Sequence, residues 1–136
     1  MWKEEYRIGV ELIDIQHRSL FAEALKLSRL IESGVEENKM QIMQTILFLK
    51  NYALNHFRDE ESYQISIGYA DFEMHQAQHK SFIMTLLQHE KLLKKSYFAE
   101  NEVKALMDTL VSWLVFHVAN SDQKIVGKSV IPVITA

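Results

Sequence analysis

The chain of 136 residues contains no cysteine. That excludes disulfides, thiolate zinc sites, cysteine-ligated iron–sulfur clusters and covalently attached haem, so any metal must be held by nitrogen and oxygen. Proline occurs once, at Pro132, and glycine four times, at Gly9, Gly34, Gly68 and Gly127. Breakers this few, near the ends and at two interior points, favour long helices over a sheet. No apolar run approaches the roughly 18 residues needed to span a bilayer. The opening "MWKEEYRIGV" lacks a basic-then-apolar signal pattern, so a cytoplasmic location is expected. Charge of one sign is also lacking. Lys and Arg total 15 against 18 Asp and Glu, for a formal charge of -3, which gives no reason to expect nucleic acid or an anionic membrane as partner.

What is present suits one domain, residues 1–136, with a proper core: apolar residues make up 48% of the chain. Residues 1–10 read as an irregular arm carrying Trp2, Tyr6, Ile8 and Val10. Apolar residues then recur at helical spacing. The first helix is expected over about Glu11 to Ser33, stopped by Gly34, with Ile13, Leu20, Phe21, Ala24 and Ile31 inward. The second runs from about Asn38 to Ile65 (Ile42, Ile46, Leu49, Ala53). The third runs from an Asp71 N-cap to about Lys94 (Phe72, Phe82, Ile83, Leu86). The fourth spans about Glu100 to Asn120 (Val103, Leu106, Leu110, Trp113, Leu114). The tail to Ala136 fits a short final helix or an extended arm equally well. The fold class is therefore all-α, an up-down-up-down antiparallel four-helix bundle with an irregular N-terminal arm.

Each apolar stripe also contains ionisable groups. His17 falls between Ile13 and Leu20. In "LNHFRDEES" His56 follows Ala53, and Glu60 continues its line. His75 and His79 lie between Phe72 and Phe82, and His117 follows Trp113 and Leu114. Residues four apart on a helix diverge by only about 40°, so His56 points with Glu60 and His75 with His79. Glu61, about 140° from His56, should face solvent. His89, among the charges of "LLQHEKLL", reads as a surface residue. An isolated buried histidine is usually a hydrogen-bonded core residue, and an isolated HxxxE pair is usually solvated. Five histidines and a glutamate on four inward stripes require those explanations to hold in every helix at once.

Burying such groups without partners costs several kcal/mol each. A set of six suggests more than one metal, and nitrogen and oxygen donors suit iron, manganese or zinc. Two neighbouring cations need bridging anions. Glu60 can supply one, and Asp122 in "HVANSD" the other. Asp122 follows His117 by five residues, which in a straight helix points it about 140° away. It can join only if the fourth helix ends or widens around Asn120 and Ser121.

These elements, "W...Y.IGV..ID.QH..LF" at 2–21, "HF..EE" at 56–61, "H...H" at 75–79 and "WL..HV...D" at 113–122, make the chain resemble the hemerythrins, specifically the bacterial single-domain kind, over nearly its whole length. The resemblance implies two iron ions in a non-haem di-iron centre with an oxo or hydroxo bridge. His75, His79 and His117 would bind one iron and His17 and His56 the other, with Glu60 and Asp122 shared. Counting ligands leaves a free position on the second iron only, where O2 can bind. Phe57, Trp113, Leu114 and Val118 correspond to the family's O2-pocket lining, with Leu20 a lesser candidate. The family often has a proline after the tyrosine in the loop between the second and third helices. Ala70 stands there in this chain, which loosens the loop but removes no ligand.

The implied function is reversible O2 binding for carriage, storage or delivery, by a monomer rather than an enzyme, with O2 and an O2-consuming protein as partners. An O2- or redox-sensing module, and a di-iron protein that handles peroxide or nitric oxide, are the alternatives. A metal-free helical interaction domain is opposed by the buried histidines.

Overall fold

A computed structural model describes residues 1–129. After a single 3-10 turn at Glu4–Tyr6 come four long helices, α1 (Glu11–Ser33), α2 (Lys39–Ser66), α3 (Phe72–Lys95) and α4 (Glu100–Phe116). A π-helical turn, His117–Ser121, follows α4 and leads into a short α5 (Asp122–Ile125). Each long helix packs on the next and α4 returns to α1, so the four close into a bundle. The all-α bundle expected from the periodicity is the fold observed, with α1 at the expected bounds, α2 displaced by one residue and α3 one residue longer at its C-terminal end. The expected end of the fourth helix at Asn120 is not observed: the α-helical pattern stops at Phe116, yet the chain stays helical to Ile125. Of the tail, residues 126–129 form no further helix, and the expectations for 130–136 lie outside the described residues.

Burial follows the stripes. Ile13, Leu20, Phe21, Ala24, Ile42, Leu49, Ala53, Phe82, Val103, Leu106, Leu110 and Leu114 are all buried, whereas Ile31, Ile46, Phe72, Ile83, Leu86 and Trp113 are half-buried at the seams. Each large aliphatic or aromatic side chain withdrawn in this way stabilises the bundle by roughly 1.5–3 kcal/mol. Among the described residues no helix is long and apolar enough to cross a membrane.

Local chemistry sets the helix ends. Gly68 adopts φ +64°, and the N–H groups of Gly68 and Tyr69 donate to the carbonyls of Ile65 and Gln64, closing α2 in a Schellman motif. The same pattern closes α3 with no glycine: Tyr97 and Phe98 take φ 55° and 58°, and their N–H groups donate to Lys94 and Leu93. Asp71 occupies the N-cap position of α3 as expected, but its side chain makes no capping bond.

The arm is anchored rather than loose. The buried Asp14 carboxylate accepts the N–H groups of Ile8 and Gly9 at 2.8 and 3.0 Å. Gln123 donates through Nε2 to the carbonyls of Tyr6 and Val118, both at 2.9 Å, tying the arm to the far end of the chain.

Candidate metal centre

The antiparallel packing brings the start of α1 and α3 and the end of α2 and α4 to one end of the bundle. His17, His56, Glu60, His75, His79, His117 and Asp122 meet there, and all seven are buried. The expected α2 and α3 pairs share a direction because they lie one turn apart. Asp122 joins through the π turn. Its N–H donates to the His117 carbonyl, a bond spanning five residues that widens the helix and swings Asp122 back over His117. The widening expected near Asn120 and Ser121 therefore begins earlier, at His117 itself.

The imidazoles form two groups. Glu60 Oε1 lies 2.8 Å from His75 Nε2, 3.1 Å from His79 Nε2 and 3.8 Å from His117 Nε2. Its other oxygen, Oε2, lies 3.3 Å from His17 Nε2 and 3.2 Å from His56 Nε2. Asp122 divides in the same way. Oδ1 is 3.0 Å from His75 and 3.1 Å from His117, while Oδ2 is 3.0 Å from His17. Each carboxylate thus offers one oxygen to a three-histidine group and the other to a two-histidine group.

These short approaches are largely not aligned as hydrogen bonds. Both nitrogens of His17, Glu60 Oε2 and both oxygens of Asp122 are buried and make no hydrogen bond among the described residues. Two imidazole nitrogens, Nε2 of His79 and of His117, face each other at 3.1 Å. Buried polar atoms without partners are costly, whereas electron pairs converging on common points are what cations require. Two clusters of donors close enough to share an ion result: Glu60, His75, His79 and His117, and His17, His56 and Glu60. The donor set is imidazole and carboxylate alone, which fits iron, manganese or zinc. Without cations, protons take their place. Burial opposes charge on His17, but the carboxylates of Asp122 and Glu60 outweigh it and push His17 up to about 10. His75 is raised to about 9 against the same opposition, and His117 is also raised. Burial prevails at His56, which is lowered. Glu60 and Asp122 are held well below the usual carboxylate range: burial opposes this, and the surrounding imidazoles overcome it.

Two outer contacts were not foreseen from the sequence. Glu61, expected in solvent, accepts at Oε2 from His79 Nδ1 at 2.9 Å, and Gln76 donates to its other oxygen at 2.9 Å. Its side chain is only 20% exposed. On the other group, His56 Nδ1 meets Gln16 Oε1 at 2.7 Å, and Gln16 Nε2 donates to Asp59 Oδ2 at 2.7 Å. Asp59 thereby fixes which end of the Gln16 amide faces the imidazole. In both cases an acceptor holds the proton on Nδ1 and leaves the Nε2 electron pair directed inward. The available signal was the adjacency of Gln16 to His17 and of Glu61 to Glu60, which periodicity alone assigns to another face. His89, read as a surface residue, is half-buried on α3 and belongs to neither donor group.

Aromatic rings brace one group. Phe57 stacks on His79 at 4.1 Å between centroids, and Trp113 stacks on His117 at 4.2 Å. Phe57, Trp113, Leu114, Val118 and Leu20 line a single cavity of ≈ 10 Å³ that reaches His17, His56, His117 and Asp122. Leu49, Ala53, Phe82 and Leu110 complete its wall. The cavity thus contacts both histidines of the two-histidine group but only one of the three-histidine group. Its volume is at the lower limit for one water-sized molecule.

The family profile described as hemerythrin HHE cation binding domain matches residues 8–128. The chain is 33% identical to a bacteriohemerythrin of Clostridium acetobutylicum, over 91% of this chain and 96% of the relative. A bacteriohemerythrin of Methylococcus capsulatus is 31% identical over 88% of this chain and 87% of its own length. A hemerythrin subunit alpha of Lingula anatina is 29% identical over 93% and 92% respectively.

Proposed function

Because the chain belongs to the hemerythrin family, we propose that it binds O2 reversibly at a non-haem di-iron centre. We assign His75, His79 and His117 to one iron and His17 and His56 to the other, with Glu60 and Asp122 shared. The observation that carries this reading is the division of both carboxylates between the two histidine groups. Iron, when bound, supplies the electrons and the open position that O2 requires.

The chain's own residues account for the rest. Glu60 and Asp122 offset the repulsion between two cations. Glu61 and Gln16 hold imidazole protons away from the metal side. Phe57, Leu114 and Val118 are buried beside the two-histidine group and exclude water, which protects the bound gas from protonation and loss. Apart from the donors themselves the cavity wall carries no acid or base. That composition supports a binder, for carriage, storage or delivery of O2 to an O2-consuming protein, over a catalyst. A histidine-rich set also favours reversible binding over O–O cleavage. We further place the protein in the cytoplasm as a monomer.

Metal analysis and visible spectra test the assignment. Iron-rich expression should give two irons per chain, with a visible absorption that appears in air and disappears reversibly when O2 is removed. Zinc alone, or a single ion per chain, would overturn it. Irreversible oxidation without an intermediate colour would favour redox sensing or peroxide and nitric oxide handling instead.

A further inference from the structure

The site cavity shares two wall residues with a second space. This partly open chamber, of ≈ 20 Å³, is lined by Ile46, Leu49, Leu86, Leu93, Leu106 and Leu110 from α2, α3 and α4, with Lys50 and Glu90 at its outer end. Leu49 and Leu110 also line the site cavity, so this pair of leucines stands between the two spaces. On its other side the chamber shares Ile46, Leu93, Lys50 and Glu90 with a surface groove of ≈ 320 Å³ bordered by Met40, Met43, Leu47 and Phe98. Lys50 Nζ donates to Glu90 Oε2 at 2.9 Å, linking α2 to α3, and Lys94 Nζ donates to the other Glu90 oxygen at 3.1 Å.

We propose that O2 reaches the metal centre along the bundle axis, through this chamber, which holds one small apolar gas molecule and is closed outward by the Lys50–Glu90 ion pair. The proposal rests on the O2-binding reading and adds the path and its gate. Three features support it. The chamber exceeds the roughly 10–15 Å³ that one water molecule needs, so it is not sealed by packing. Six of its eight lining residues are Leu or Ile, so water finds hydrogen-bond partners only at the charged outer end, whereas O2 has no hydrogen bonds to lose. Both partitions are made of side chains, whose rearrangement requires no change in the backbone.

The approach on the opposite side is unlike this one. A pocket of ≈ 50 Å³ beside His75 is lined by Met74 and by the polar Tyr69, Asp71, Gln78, Ser121 and Lys124. These hydrogen-bonding groups suit water rather than an apolar gas. The two approaches to the cluster therefore differ in polarity, and the dry one leads to the two-histidine group.

The test uses the iron-loaded protein. Leu86 borders the chamber and not the site cavity, so Leu86→Phe obstructs the path and leaves the site intact. O2 association and dissociation should both slow by about tenfold at unchanged equilibrium affinity, because a path affects rates and not end states. Lys50→Ala removes the gate and should speed both. Xenon applied to crystals should occupy the chamber, which also covers the case in which Leu86→Phe does not fold. Unchanged rates in both variants, xenon absent from the chamber, or an affinity change as large as the rate change would overturn the route. Wild-type protein that takes up no O2 would sink the functional reading, and the route with it. O2 uptake with unchanged rates would sink the route alone.

Discussion

The two halves of the metal centre are built differently. The three-histidine half draws on α3 and the end of α4, and its rings are braced: Phe57 lies on His79, Trp113 on His117, and Glu61 fixes the outer nitrogen of His79. The two-histidine half draws on α1 and α2. His56 is oriented through Gln16 and Asp59, but the outer nitrogen of His17 has no hydrogen-bond partner among the described residues. The apolar cavity opens beside this second half. On the proposed assignment, one half is arranged to hold its ion and the other to leave space next to it. Among the described residues, the carboxylates of Glu60 and Asp122 are the only groups that belong to both.

That contrast can be broken most severely at the shared residue. Glu60→Ala removes an oxygen from each half and should abolish metal retention altogether, whereas His56→Ala should cost O2 binding and the second ion while leaving the braced half loaded. Metal content by elemental analysis distinguishes these outcomes, and equal losses in the two variants would mean that the halves are not separable.

A smaller effect is expected from the outer contacts. Glu61→Ala and Gln16→Ala should each weaken metal binding by about 10–100-fold, the usual consequence of losing a partner to the outer nitrogen of a ligating imidazole. Chelator competition would measure it. If the bracing rings compensate, Glu61→Ala should lie at the lower end of that range and Gln16→Ala at the upper end.

A separate effect concerns pH, and its sign reverses with the metal. In metal-free protein His17, His75 and His117 are raised by the two carboxylates. Their contribution to stability is complete below the ordinary histidine value of 6.5 and is lost as pH rises through about 9 for His75 and about 10 for His17. His56 is lowered and acts in the opposite sense, one group against three. Thermal melts of metal-free protein should therefore show a decline from neutral to alkaline pH. Iron-loaded protein should instead weaken toward acid, where protons compete for the same nitrogens. A metal-free melt that rises between neutral and alkaline pH would contradict the arrangement.

The fold and the convergence of the candidate donors were legible because both depend on short-range periodicity. Ile13, His17 and Leu20 share one direction in any helix, whatever surrounds it, and so do His56 with Glu60 and His75 with His79. The spacing of Asp122 from His117 even carried the condition that the helix must widen. Glu61 was misread for an identifiable reason. It sits about 100° around α2 from Glu60, a direction that meets solvent on an isolated helix but meets α3 in a bundle, where each helix has two neighbours. Gln16 was passed over because its partner lies on another helix. The αL pair Tyr97 and Phe98, which ends α3, carries no glycine to announce it.

The amino-acid order by itself determined which residues turn inward along each helix, since that depends only on rotation per residue. Tertiary structure alone decided what each inward or lateral group meets: that Glu60 and Asp122 divide their oxygens between two sets of imidazoles, that Glu61 and Gln16 reach across to orient them, and that leucines from three helices enclose a path to the site. The reason is physical. Direction about a helix axis is set by covalent geometry within a few residues, whereas the distance between groups on different helices depends on how whole helices are rotated and placed against one another.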